Sequence, residues 1–121
     1  MRRYQPPAPT FSSSEGASAA TTASNVIPIT ATFNQAVTGV TAADFGFTSS
    51  NTDVSITTAV SGSGKVWVLT ATVTDSFADT DITVTMPQES GAISPLNAAG
   101  TNNGFNLKCT YRCTPYARLR C

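Results

Sequence analysis

The feature that most constrains this chain is a two-residue rhythm. In "KVWVLTATV", Trp67, Leu69, Ala71 and Val73 fall on one side and Val66, Val68, Thr70 and Thr72 on the other. Successive side chains of a β-strand point to opposite faces, so this alternation predicts a strand with one buried face. The same rhythm runs through "VIPITATF" (Ile27, Ile29, Ala31, Phe33), "VSITTAV" (Val54, Ile56, Thr58, Val60) and "ITVTM" (Ile82, Val84, Met86). No stretch carries the 3.6-residue period of an amphipathic helix. The β-branched Thr and Val that crowd these segments suit a pleated surface.

Shorter pieces complete the pattern. "TFSSS", Thr10 to Ser14, is expected to open the domain as an edge strand, after a polyproline-like linker "QPPAP". "EGASAATTAS" reads as a loop. Pro28 cannot donate to a ladder, so the strand Val26 to Phe33 is expected at an edge or with a late start. "ADFGFTSS" reads as a short strand with Phe45 and Phe47 inward, followed by a turn at "NTD". "SGSG", Ser61 to Gly64, signals a hairpin of the longer kind, "TDSFADTD" a polar turn, and "QESGAISPLNAAGTNNG" a long loop anchored by Ile93 and Leu96. "FNL", Phe105 to Leu107, supplies a last strand. About seven short strands with regular turn signals predict a single all-β domain, an antiparallel β-sandwich, over residues 10–107. Residues 1–9 are then a Pro-rich linker and residues 108–121 a Cys/Arg-rich disordered tail.

Charge separates body from ends. The chain has 7 basic and 7 acidic residues, no His, and only 12% charged residues, about half the usual share. Between Tyr4 and Leu107 the only base is Lys65, against Glu15, Asp44, Asp53, Asp75, Asp79, Asp81 and Glu89. An acidic body repels nucleic acid, whose binding rests on neutralised phosphates, so no nucleic-acid partner is expected. No apolar run reaches the ~20 residues of a membrane span. No apolar segment of a signal peptide follows Met1-Arg2-Arg3.

The stretch "SNVIPITATFNQAVTGVTAADF" resembles a bacterial Ig-like repeat family built on a hydrophobic-Thr-rich strand, a Val-Thr-Gly turn and a following Asp. Pro28, Phe33, Val37, Thr38, Gly39 and Asp44 carry the likeness. "PAPTFSSSEGASAATTAS" resembles the family's linker and first strand, and "SGSGKVWVLTATVTDSFADTDITVTMP" its central hairpin. "LNAAGTNN" resembles a loop that usually carries Asp where Asn97 stands. The resemblance implies an Ig-like β-sandwich, one of many tandem copies in a cell-surface or secreted, adhesin-like protein. It implies a non-catalytic role as spacer or cohesion module, with neighbouring Ig-like repeats or surface proteins as partners. Any secretion signal is then expected elsewhere in a longer precursor. A rival reading is a binding module for carbohydrate or protein that uses the loops at one end of the sandwich, with glycans as a further class of partner.

Candidate chemistry is sparse. Without His, neither a Ser-His-Asp triad, a Cys-His pair nor an imidazole metal site can be built from this chain, and no catalytic residue and no cofactor is expected. Asp75, Asp79 and Asp81 offer the carboxylate oxygens that Ca²⁺ takes. Their spacing lacks the Gly and distal Glu of a calcium loop, and the favoured reading is that they form turns. Asp44 is expected to accept backbone N–H bonds and fix a corner. Cys109, Cys113 and Cys121 are one thiol short of a four-thiolate zinc site. A Cys109–Cys113 disulfide and free, exposed thiols both remain open. Tyr4, Tyr111 and Tyr116 are expected to be exposed in the tails, and Trp67 to face the core.

Overall fold

The computed structural model describes residues 6–50, 55–75, 79–89 and 91–111. They form eight strands: β1 (Pro9–Ser12), β2 (Ala20–Thr22), β3 (Val26–Phe33), β4 (Gly46–Ser49), β5 (Ser55–Ser63), β6 (Val66–Asp75), β7 (Thr80–Thr85) and β8 (Phe105–Cys109). One sheet runs β1-β3-β6-β5 and the other β2-β8-β7-β4. Every pairing is antiparallel except β2 with β8. Set aside β2, and the two sheets reproduce the A-B-E-D and C-F-G order of an immunoglobulin constant-type sandwich.

Alternation explains the core. Ile27, Ile29, Ala31 and Phe33 of β3 and Leu69, Ala71 and Val73 of β6 turn inward from one sheet. Ile82 and Val84 of β7 and Phe105, Leu107 and Cys109 of β8 meet them from the other, all within one buried cluster. The period of two lets each strand bury one face and leave Thr and Ser on the other. Trp67 packs half-buried at the rim of this cluster, its indole Nε1 donating to the carbonyl of Gly64 at 3.0 Å.

Several expectations are corrected. β3 lies inside its sheet, between β1 and β6, not at an edge. Pro28 is tolerated because β1 reaches only as far as Thr30. On the β1 side the Pro28 carbonyl accepts the Ser13 hydroxyl instead, at 2.6 Å. The strand β2 sits inside "EGASAATTAS", expected as a loop. It exists through pairing with β8, Ala20 opposite Leu107 and Thr22 opposite Cys109. The β5–β6 hairpin is not the longer kind: Ser63 pairs with Val66, leaving Gly64 and Lys65 as a two-residue turn. Gly64 has φ +65°, as the first central residue of a type II′ turn requires. The segment before β4 is a 3-10 turn, Ala42–Asp44, rather than the start of a strand.

At the ends of the domain, Pro9 belongs to β1, and Lys108 and Cys109 to β8. Tyr111, expected to be exposed, packs against the core, because Thr110 continues from β8 and donates its N–H to Thr22 at 2.8 Å. The turn at "NTD", Phe77, Cys113, Tyr116, Cys121 and Tyr4 lie outside the described residues.

Candidate functional site: the loop end of the sandwich

Three connections meet at one end of the sandwich: the corner from Asn34 to Phe45, the turn Gly64-Lys65, and the long loop from Met86 to Gly104. Val37 donates its backbone N–H to Gly64 at 3.0 Å, and Phe33 to Lys65 at 2.7 Å. Thr38 and Ser94 exchange two backbone bonds, 2.9 and 3.0 Å, as an isolated bridge. The first described residues join them, with Ala98 donating to Pro7 at 2.8 Å and Thr101 to Pro9 at 2.9 Å.

The corner is built from its own sequence. Val37 and Val40 are buried and pin it to the core. Gly39 has φ +79°, a left-handed conformation, and a Cβ there would run into the carbonyl of Ala92. Asp44 is buried, and its Oδ2 accepts the Thr41 N–H at 2.8 Å. Its other oxygen lies against Gly91, where a Cβ would overlap Oδ1. The expectation that Asp44 accepts backbone N–H groups and fixes a corner therefore holds.

The long loop is tied by asparagines. Asn97, not Leu96, is buried: Asn97 is 1% exposed and Leu96 55%. The Asn97 amide donates to the carbonyls of Pro87 and Ala98 at 2.8 and 2.9 Å. Buried carbonyls need donors more than the loop needs another apolar anchor, which is why the amide goes in and Leu96 goes out. Ile93 is buried as expected. Asn102 bonds both backbone groups of Phe11 in β1. Asn103 does the same for Met86, at 2.8 and 3.2 Å. Two consecutive amides thus tie one loop to both sheets. The run "NAAGTNN" was the available signal, since Asn side chains mimic the backbone groups they bond.

A hollow of about 410 Å³ opens at this end beside Thr10, Thr32, Asn34 and Thr101. Its polar atoms already hold one another: Thr10 and Thr101 share a 2.6 Å hydroxyl bond, and Asn34 accepts the Ala8 N–H at 3.0 Å. A second hollow, about 490 Å³ and largely apolar, lies where the chain crosses from β1 to β2, between Phe11, Ala17 and Phe105. The described side chains around both offer hydroxyl and amide groups.

The other singled-out residues are not gathered here. Asp79 and Asp81 are exposed at the far end: Asp79 precedes β7, while Asp81, expected in the turn, lies within that strand opposite Lys108. Asp75 ends β6, and its side chain is outside the described residues. Among the described residues no group of three acids, cysteines or histidines is placed to hold a metal, and no helix is long and apolar enough to cross a membrane. Cys109, expected in an exposed tail, is a free and fully buried thiol, 3.7 Å from the Ser24 carbonyl. Burial pushes its pKa up, the Asp79 charge adds to this, and a backbone hydrogen bond at Tyr111 partly offsets it.

Against protein-family models, curated proteins and solved structures, the chain finds no match.

Proposed function

We propose that this domain is a non-catalytic Ig-like module of a cell-surface or secreted protein, working as a spacer or cohesion unit in series with neighbouring modules. The observation that carries the reading is where the chain enters and leaves. It enters β1 at Pro9, opposite Phe33 and beside the loop end. It leaves β8 at Cys109, opposite Thr80 and beside Thr22, at the far end. A unit threaded from end to end can be strung head to tail and can carry tension. Under such tension β2 is drawn toward the loop end and β8 away from it. Parallel neighbours pulled in opposite directions slide, so their hydrogen bonds share the load rather than opening singly. The resemblance of Pro28, Phe33, Val37, Thr38, Gly39 and Asp44 to a bacterial Ig-like repeat supports the same role.

Single-molecule pulling on the full chain, held at its two termini, tests this. The expected result is one abrupt unfolding event that a Thr22→Pro change moves to lower force, because Thr22 faces β8 and its carbonyl accepts the Thr110 N–H. Gradual extension at low force, unchanged by Thr22→Pro, would remove the mechanical reading.

The second reading, a binding module for carbohydrate or protein, draws on the 410 Å³ hollow at the loop end, within the usual size range of ligand sites. Clear glycan-array hits lost on Thr32→Lys would favour it over a purely mechanical role.

A further inference from the structure

The sandwich has four sheet edges, and they are not equally protected. β2 and β4 are short, at 3 and 4 residues. The edge of β1 is covered, because Asn102 from the long loop bonds both backbone groups of Phe11. β5 is different. It has 9 residues, "SITTAVSGS", with no charge and no proline. Its irregularities are a register shift at the far end, between Ser55 and Ile56, and a positive φ of +133° at Gly62 near the turn.

The hairpin register shows which backbone groups are open. Ser63 and Val66 flank a two-residue turn and form a hydrogen-bonded pair, so Ser63, Ser61, Ala59 and Thr57 point their N–H and C=O at β6. Those of Ile56, Thr58, Val60 and Gly62 point away from the sheet. Among the described residues nothing hydrogen-bonds to them, although the 3-10 turn Ala42–Asp44 passes nearby. Natural sheets guard such edges with charge, proline, shortness or a covering loop. Here β1 has the cover and β5 has none of these devices along its length.

We propose that β5 is a self-pairing edge: two copies of this chain join β5 to β5, antiparallel about a two-fold axis, into one eight-stranded sheet. The proposal rests on the cohesion reading above and names its partner as a second copy. Only one register uses all four open residues on both strands. It sets Ile56 opposite Gly62 and Thr58 opposite Val60, with Ala59 on the axis facing its own counterpart. Each hydrogen-bonded pair then exchanges two backbone bonds. On the outer face Thr57 meets Ser61, small side chains with no charge to oppose, so a self-complementary contact meets no repulsion. On the inner face Ile56 and Val60 are half-buried against the core, and pairing covers what remains.

The test is sedimentation velocity of the full chain in reducing buffer, from micromolar to millimolar concentration. The expected species is a dimer of the 12.5 kDa chain. Ala59→Lys places two like charges face to face and is expected to shift the monomer–dimer midpoint about fivefold or more upward. Ala59→Glu is expected to do the same, and an equimolar mixture of the two variants to restore dimer. Thr58→Pro removes an outward N–H without touching the β6 ladder, and is expected to be monomeric with native Trp67 fluorescence. A wild-type chain that stays monomeric at millimolar concentration overturns the proposal and leaves the spacer reading to the pulling experiment. A dimer indifferent to Ala59→Lys and Thr58→Pro, or a mixture that fails to pair, overturns it as well.

Discussion

Asn102 grips Phe11 by both of its backbone groups. Its Oδ1 accepts the Phe11 N–H at 2.8 Å, and its Nδ2 donates to the Phe11 carbonyl at 2.9 Å. The amide stands where a further strand would pair, so it closes the β1 edge while anchoring the long loop.

Asn102→Ala removes both bonds and opens that edge. The expected loss is about 1–2 kcal/mol, read as a lower urea midpoint. Asn102→Asp keeps an acceptor for the N–H but sets a carboxylate against the Phe11 carbonyl, so it is expected to cost at least as much. Thioflavin-negative wild type and thioflavin-positive Asn102→Ala after prolonged incubation would show that the amide also protects against edge pairing.

Gly39→Val tests the corner. A β-branched residue at φ +79° is strained, and its Cβ would meet the Ala92 carbonyl. A cost of about 2 kcal/mol or more is expected, with a fall in melting temperature. An unchanged melting curve would contradict the account of the turn.

Asn97→Asp separates an amide from the acid usual in the resembled family. The Asn97 Nδ2 donates to two carbonyls inside the loop. A carboxylate has no proton to give at neutral pH, so it would face both carbonyls unpaired. The expected cost is about 2–3 kcal/mol at pH 7. It should shrink as pH falls and the acid is protonated, read by chemical unfolding at matched pH values.

Cys109 links stability to alkaline pH. Its pKa in the fold is raised above the ordinary 9.0 by burial first, with the Asp79 charge adding. The unfolded chain loses the thiol proton first as pH rises. The stability this thiol contributes is therefore full below about pH 9 and is lost as pH climbs through the folded value. The stability difference between wild type and Cys109→Ala should narrow as pH rises above about 9. In a Cys113→Ser/Cys121→Ser background, the one remaining thiol should react with an alkylating probe only as fast as the fold opens.

What was legible in the sequence follows from what is local. Val26–Phe33 is a strand to the residue because in-and-out alternation is a property of the segment itself. Leu69, Ala71 and Val73, Ile82 and Val84, and Phe33 were legible as core for the same reason. The Asp44 corner was legible too, since its Val, Gly and Asp sit within a few residues of one another. Features set by distant partners were not. Pro28 reads as an edge residue, yet β1 and β6 both flank its strand, because the end of β1 is decided by pairing that the segment does not contain.

The sequence by itself determined an all-β sandwich with one buried face per strand, because a period of two leaves no other way to bury those side chains. Tertiary structure alone decided the rest. β2 is a strand because β8 lies beside it. Asn97 is buried and Leu96 exposed because the loop's carbonyls require donors. Cys109 is sealed in the core because β8 runs past Leu107. Asn102 guards one edge while β5 stays open, since a polar side chain's bond depends on which backbone the fold brings within about 3 Å of it.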